Sequence, residues 1–349
     1  PFSLALNDSQ EVVLALLAGL GSDHLRSIDR LKFSDRFIQE AYEGLFQVPA
    51  PPAGPKVHAV AGDGAVVLDW GFDPGAMDAT EASRTGDFQF EGYNLYQFPS
   101  LEADLSQGVK LATFDLINGT TTILGEELDD ASGEVLRLPQ QVGTDSGLQW
   151  IFRLTRDALR SEPLINGQPY YFAVTAYSRN ADPAAILGAL ESVPRKLSVV
   201  PQQAPPGIRR GVEMNEIIPV RQVSGTGDVV IRPIVIDPGA VIDGTYTVDF
   251  EASGRWRLWR EDEVILADQD NYSLDDGYLA VDGIQVKVGN AVRETPTTFS
   301  ATTVLVDADP TDGDLSFWGD SILFEAADGY ASTFWEGGGT NDADLLGRD

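Results

Sequence analysis

Tyr170-Tyr171-Phe172-Ala173-Val174-Thr175-Ala176-Tyr177 is the stretch on which the reading of this chain turns. Tyr170, Phe172, Val174 and Ala176 recur with period two, the spacing that sends side chains to one face of a β-strand. Two other stretches repeat the pattern. Val66-Val67-Leu68-Asp69-Trp70 sets Val66, Leu68 and Trp70 on one face, and Glu91-Gly92-Tyr93-Asn94-Leu95-Tyr96 alternates in the same way. One face of each strand then packs on a partner sheet while the other meets solvent. The chain is therefore read as mainly β, its aromatic and aliphatic side chains spent on holding paired sheets together.

Composition narrows the function classes. With 349 residues and 43% hydrophobic content, the chain is long enough to bury two or three separate cores. Its 54 acidic residues against 24 basic ones give a formal charge of −30, which repels nucleic acid and anionic membrane surfaces. Only Lys32, Lys56, Lys110, Lys196 and Lys287 among the bases are lysines, a bias that fits a salt-adapted or a GC-rich source equally. Cysteine is absent, which removes disulfides, thiolate nucleophiles and the commoner zinc sites and leaves the compartment open. The longest apolar run, residues 12–20, falls well short of the ~20 residues a membrane span needs. Asp8 and Glu11 precede it, so it does not read as a signal peptide either.

Four regions follow from the patterning. Residues 1–21 read as a hairpin, with Phe2, Leu4 and Leu6 alternating before an Asn7-Asp8-Ser9 turn and the apolar run returning after it. It completes the sheet of an upstream β domain, or packs on the domain that follows. Residues 22–55 form a helical segment and a Pro-rich linker. Leu25, Ile28, Leu31, Phe37, Ile38, Ala41 and Tyr42 recur at three and four residues, with Ser34 placed to cap a helix after a short break. An amphipathic helix of this kind recruits a partner or, more commonly, covers its own neighbours. Residues 56–200 form one β domain of about 145 residues, where an immunoglobulin-type sandwich needs about 100. The surplus lies around residues 118–160 and reads as tolerated loop length or as a binding insertion. Residues 201–349 form a second β-sandwich that ends in an acidic region.

The usual chemical anchors are missing from this pattern. His24 and His58 stand in no metal-hydrolase spacing, and no nucleophile elbow, phosphate loop or dinucleotide fingerprint occurs. No catalytic residue and no cofactor is assigned. Clustered aspartates are the sharper feature, because a hard cation takes several oxygen ligands. Asp307, Asp309, Asp312 and Asp314 are candidate calcium ligands, although Gly313 sits one place late for an EF-hand and Trp318 occupies its twelfth position. Asp268, Asp270, Asp275 and Asp276 form a second group. The plainer reading of both is a solvated acidic loop. Trp256, Trp259, Trp318 and Trp335 are candidates for stacking on sugars, with burial in a core as the default.

The three quoted strands resemble the fibronectin type III signature. Leu164, six residues before Tyr170, matches the spacing of the tyrosine corner, in which the phenol oxygen bonds back to main chain upstream. The order of features over residues 1–200 is also similar to large secreted multidomain bacterial proteins associated with type IX secretion in Bacteroidetes and Rhodothermota relatives. Those features are the Ala-Leu-Leu-Ala-Gly hairpin end, Ala41-Tyr42-Glu43-Gly44-Leu45-Phe46 before a Pro-rich spacer, and the two aromatic strands. The resemblance implies tandem immunoglobulin-like or fibronectin type III-like sandwiches with one short helical segment near the N-terminus. It also implies an extracellular or cell-surface location.

Two functions are expected from this. The first is a structural surface protein, a subunit of a filament or layer that self-associates or contacts neighbouring domains of the same polypeptide. The second is a carbohydrate-binding or adhesive accessory module with surface glycans as partners. An enzyme ranks behind both, since no constellation of residues supports one.

Overall fold

The computed structural model describes residues 12–44, 46, 49–203, 212–225, 229–242, 244–251, 253–289 and 319–326. The first half of the expected hairpin, Trp318, Trp335 and the candidate calcium ligands Asp307, Asp309, Asp312 and Asp314 lie outside the described residues. Its returning half, residues 12–20, forms no strand.

One helix, α1 (His24–Glu43), follows as a single element. Asp23 caps it, its carboxylate accepting from the N–H groups of Leu25 and Arg26 at 2.8 and 2.9 Å. The break expected at Ser34 does not occur, because no Gly or Pro interrupts residues 24–43 and Asp23 already supplies the cap. No residue of α1 is buried.

The next module begins after the Pro-rich spacer. In chain order its strands are β1 (His58–Gly62), β2 (Ala65–Asp69), β3 (Arg84–Thr85), β4 (Phe88–Phe98), β5 (Val109–Asp115), β6 (Thr122–Leu128) and β7 (Val135–Val142). Then come β8 (Ile151–Leu154), β9 (Arg156–Asp157), β10 (Glu162–Pro163), β11 (Tyr170–Asn180), β12 (Ala189–Glu191) and β13 (Leu197–Val199). Every described pairing is antiparallel. One sheet runs β1-β2-β8; the other centres on β4 and β11, with β5 and β3 beside β4 and with β12 and β13 beside β11. The ribbon β6–β7 stands apart from both sheets.

Between the sheets lies a core of Val66, Leu68 and Trp70 from one side, with Leu154, against Tyr93, Leu95, Phe172, Val174 and Ala176 from the other. These are the alternating positions the sequence marks. Asp63-Gly64 joins β1 to β2, and Gly64 takes φ +58, a left-handed conformation that a Cβ disfavours. At the far end Tyr170 is buried, and its phenol oxygen accepts a 2.9 Å bond from the Ile165 N–H, the backward tie that the Leu164–Tyr170 spacing implies.

A second helix, α2 (Pro74–Glu81), is absent from the sequence reading. Its signal is local and short: Asp73 caps it through the Ala76 N–H at 3.1 Å, and Pro74 at the first turn fixes φ where no donor is needed.

The second module carries β14 (Val220–Gly225), β15 (Val230–Val235), β16 (Gly244–Phe250), β17 (Trp256–Arg260), β18 (Glu263–Gln269), β19 (Ala280–Val281), β20 (Ile284–Gly289) and β21 (Gly319–Ala326). They form a five-stranded sheet ordered β14-β21-β16-β17-β18 and a three-stranded sheet ordered β15-β20-β19. Val248, Phe250, Trp256, Leu258, Val286 and Val288 fill the core, with Trp256 wholly buried and its indole N–H donated to the Asn271 carbonyl. The chain is thus mainly β, of the sandwich-like class its patterning predicts.

Tyr170→Phe keeps the ring and removes the oxygen that the Ile165 N–H bonds. It is expected to lower unfolding free energy by about 1 to 2 kcal/mol, read as a lower urea midpoint at unchanged m-value.

Candidate functional site: a buried polar layer and the joint between modules

β4 and β11 are unusual in being buried on both faces. Their apolar face builds the core, and their other face is polar. Strand register sets that second face out in rows. Ala173, Tyr96 and Lys110 form one row; Thr175, Asn94 and Thr113 form the next; Tyr177, Gly92 and Asp115 form the third. Gln141 from β7, Glu191 from β12 and the loop residues Gly143 and Thr144 close over them.

Asn94 is the centre of this layer. Its amide donates to Gln141 Oε1 at 3.2 Å and to Glu191 Oε1 at 2.9 Å. Its carbonyl accepts from Thr113 at 2.8 Å and from Gln141 Nε2 at 2.9 Å. Two donors and two acceptor sites are the full capacity of an amide, so Asn94 is saturated. Glu191 also accepts from Tyr96 at 2.9 Å and from Thr175, while Lys110 donates to Gln141 at 3.1 Å. Burial, then the Glu191 charge, pushes the Tyr96 phenol well above its ordinary range, and burial lowers Lys110.

Asp115 anchors the third row. Fully buried, it accepts from the Thr144 N–H at 2.9 Å and the Thr144 hydroxyl at 2.9 Å, with Tyr177 at 3.4 Å. A Cβ at Gly92 would sit 2.4 Å from the Phe114 carbonyl and 2.9 Å from the Asp115 Cβ, and one at Gly143 would sit 1.8 Å from the Asp115 carboxylate, so both glycines leave room for Asp115. At the bulge beside this row, Glu91 pairs with Arg179 at 2.9 Å and accepts from Asn118 at 2.7 Å. Chemically the layer presents two carboxylates, two phenols and a lysine, each engaged by an internal partner. It acts as a clasp that fixes the β6–β7 ribbon to the sheet.

A second polar group lies where the modules meet. Val60 and Val67, on the outer face of β1 and β2, pack on Ile236, with Ile151, Met214 and Ile234 around them. Trp150 stacks against Gly277, and its indole N–H donates at 2.7 Å to Glu81, the last residue of α2. Tyr93 donates to the same carboxylate oxygen at 2.9 Å, and Gln149 reaches the Asp275 carbonyl at 2.8 Å. Burial raises the Glu81 carboxyl, with the Trp150 and Tyr93 donors opposing. His58 Nε2 stands 3.4 Å from Asp237 across the joint, and opposite His58 in the strand pair is the buried Asp69. Burial pushes Asp69 up to about 6, offset in part by the Gly71 N–H and by His58.

The second module holds a buried ion pair. Asp249, fully buried, accepts Arg257 at 3.1 and 2.6 Å and the Trp259 indole N–H at 3.0 Å. The Arg257 guanidinium lies 5.3 Å from the centre of the Trp259 ring. Trp256 is a core residue, and Trp259 is therefore engaged at its N–H and over its ring rather than presented bare for a sugar. Of the aspartates singled out nearby, Asp276 caps the Tyr272 and Ser273 N–H groups at 3.1 and 3.0 Å and Asp268 pairs with Arg255 at 3.3 Å. Among the described residues no three acidic or imidazole side chains are grouped to hold a metal, and no helix is long and apolar enough to cross a membrane.

Sequence reasoning missed both polar groups. Asn94, Thr113 and Thr175 occupy the outward positions of alternating strands and read as solvated; only the ribbon that covers them makes them buried. Comparisons with protein-family models, with curated proteins and with solved structures each return no match for this chain.

Asp69 gives a pH test. The folded state holds its proton more tightly than the unfolded chain does, so stability falls as pH rises from about 4 through about 6, and the full penalty of about 3 kcal/mol applies at pH 7. Asp69→Asn is expected to raise the pH 7 urea midpoint and to flatten that part of the stability profile.

Proposed function

We propose that this protein is an extracellular or cell-surface structural protein, a rigid β-sandwich unit of a filament or surface layer. The observation that carries the reading is the joint. Val60, Val67 and Ile236 form a small core shared by the two modules, and Trp150 is pinned in the same seam by Glu81. A spacer of fixed geometry needs such a seam, because contacts between modules that merely share a chain default to relative motion.

Two further observations support it. The most buried polar groups, around Asn94, Asp115 and Asp249, are spent on internal bonds and not on an open cleft. The β1-β2-β8 sheet facing the sheet of β5, β4, β11 and β12, with the Tyr170 tie at its end, supports the fibronectin type III-like reading of residues 56–200 and with it the surface location.

Electron micrographs of the purified chain test the assembly: ordered fibres or layers are expected, and isolated particles at every concentration and salt would overturn the reading. The joint is tested separately. Trp150→Ala empties the seam, and the single calorimetric transition expected of the coupled modules should split into two.

A further inference from the structure

The structural reading leaves open how copies meet, and two surfaces of this chain bear on it. Residues 12–20, Val-Val-Leu-Ala-Leu-Leu-Ala-Gly-Leu, hold no charge within a chain of formal charge −30. They form neither helix nor strand and are largely open to solvent, with Leu14, Leu16 and Leu20 exposed by 89%, 101% and 88%. Among the described residues none pairs with their backbone. Apolar side chains at consecutive positions suit a strand covered on both faces, so this segment has the composition of a strand without its sheet.

β7 has the complementary defect. It pairs with β6 along one edge, and its other edge pairs with no described strand. Val135 and Leu136, successive residues and so on opposite faces, are both exposed, as are Leu138 and Val142. Its one charge, Arg137, is turned to the Pro183 carbonyl. Pro139 deprives the strand of one N–H, which leaves residues 135–138 as the stretch able to accept a full ladder.

We propose that residues 12–20 of one copy add as a third strand to the free edge of β7 in a second copy. This rests on the structural reading given above and supplies its contact. Two copies of so acidic a chain repel over most of their surface, and these two stretches, neither of which holds an acidic residue, are where they can approach. Within one chain the segment turns back along α1, with Gly19 against the Ser27 carbonyl and the Leu31 backbone, and among the described residues it is not laddered to β7. Its root is tied to α1 through the Gly21 N–H to Ser27 bond, and α1 is ion-paired to β6 and the following turn through Arg36–Glu126 and Arg30–Asp130. Donor and acceptor are different patches, so the contact is head-to-tail and each added copy offers a new donor and a new edge. A two-stranded ribbon, marginal by itself, becomes three-stranded in the process.

The absence of cysteine makes the test direct. Chains carrying Leu16→Cys mixed with chains carrying Leu136→Cys are expected to give a covalent heterodimer on mild oxidation, well above what either gives by itself. Sedimentation velocity of the full chain with Leu14→Asp and Leu16→Asp together is expected to show assembly weakened by tenfold or more. Both residues lie outside the two cores, so the thermal transition should not move, and a synthetic peptide of residues 12–20 should cap assembly of the unaltered chain. Assembly that persists in the double variant, or a failure of the mixed cysteines to cross-link, overturns this contact while the structural reading stands. An unaltered chain that stays monomeric at every concentration overturns both.

Discussion

The pairing of β4 with β11 governs the first module, because neither face of that pair is left to water. An ordinary antiparallel pair buries one face and solvates the other. Here the inner face carries Tyr93, Leu95, Phe172 and Val174 into the core, while the outer face carries Asn94, Tyr96, Thr175 and Tyr177 under the ribbon. Burying such polar groups costs free energy unless each finds a partner, and the penalty for leaving one unmet exceeds the gain from meeting it. The ribbon is therefore selected by geometry: only a lid that brings Gln141 and Thr144 to fixed positions satisfies Asn94 and Asp115 together.

The same principle explains α2. Trp150 lies at the seam between modules, and a half-buried indole N–H needs an acceptor. The eight residues inserted after β2 deliver Glu81 to it, and Tyr93 from the core completes the arrangement. A short insertion thus links the interior of one sandwich to the surface of the next.

How far the sequence tells this story depends on distance along the chain. Period-two alternation at Tyr170–Tyr177 and at Val66–Trp70 discloses the strands and their core faces, since it depends only on neighbouring residues. The Tyr170 tie was legible for the same reason. The continuous apolar run Ala65-Val66-Val67-Leu68 also carried a hint, because a strand buried on both faces loses its alternation, and Val67 does face the seam. The clasp was not legible, because Asn94 meets Gln141 across 47 residues and Glu191 across 97, and nothing local distinguishes a covered asparagine from a solvated one. Ser34 misled in the opposite direction: a capping residue type ends or starts a helix only where the backbone has reason to turn, and there it has none. The aspartates at 268, 275 and 276 were conspicuous in sequence, but Asp276 serves a turn, Asp268 a surface pair, and Asp275 offers its main-chain carbonyl to Gln149.

The passage from one sandwich to the next is itself bonded to the first. Gly167 donates to the Pro201 carbonyl, Gln202 donates to the Gly62 carbonyl, and β13 just before them is laddered to β11. Tension entering the chain at this point does not first straighten a slack tether. It is delivered to the end of β1, to the loop behind Tyr170 and to the central strand at once, so the load is shared by three attachments before any one of them has to give.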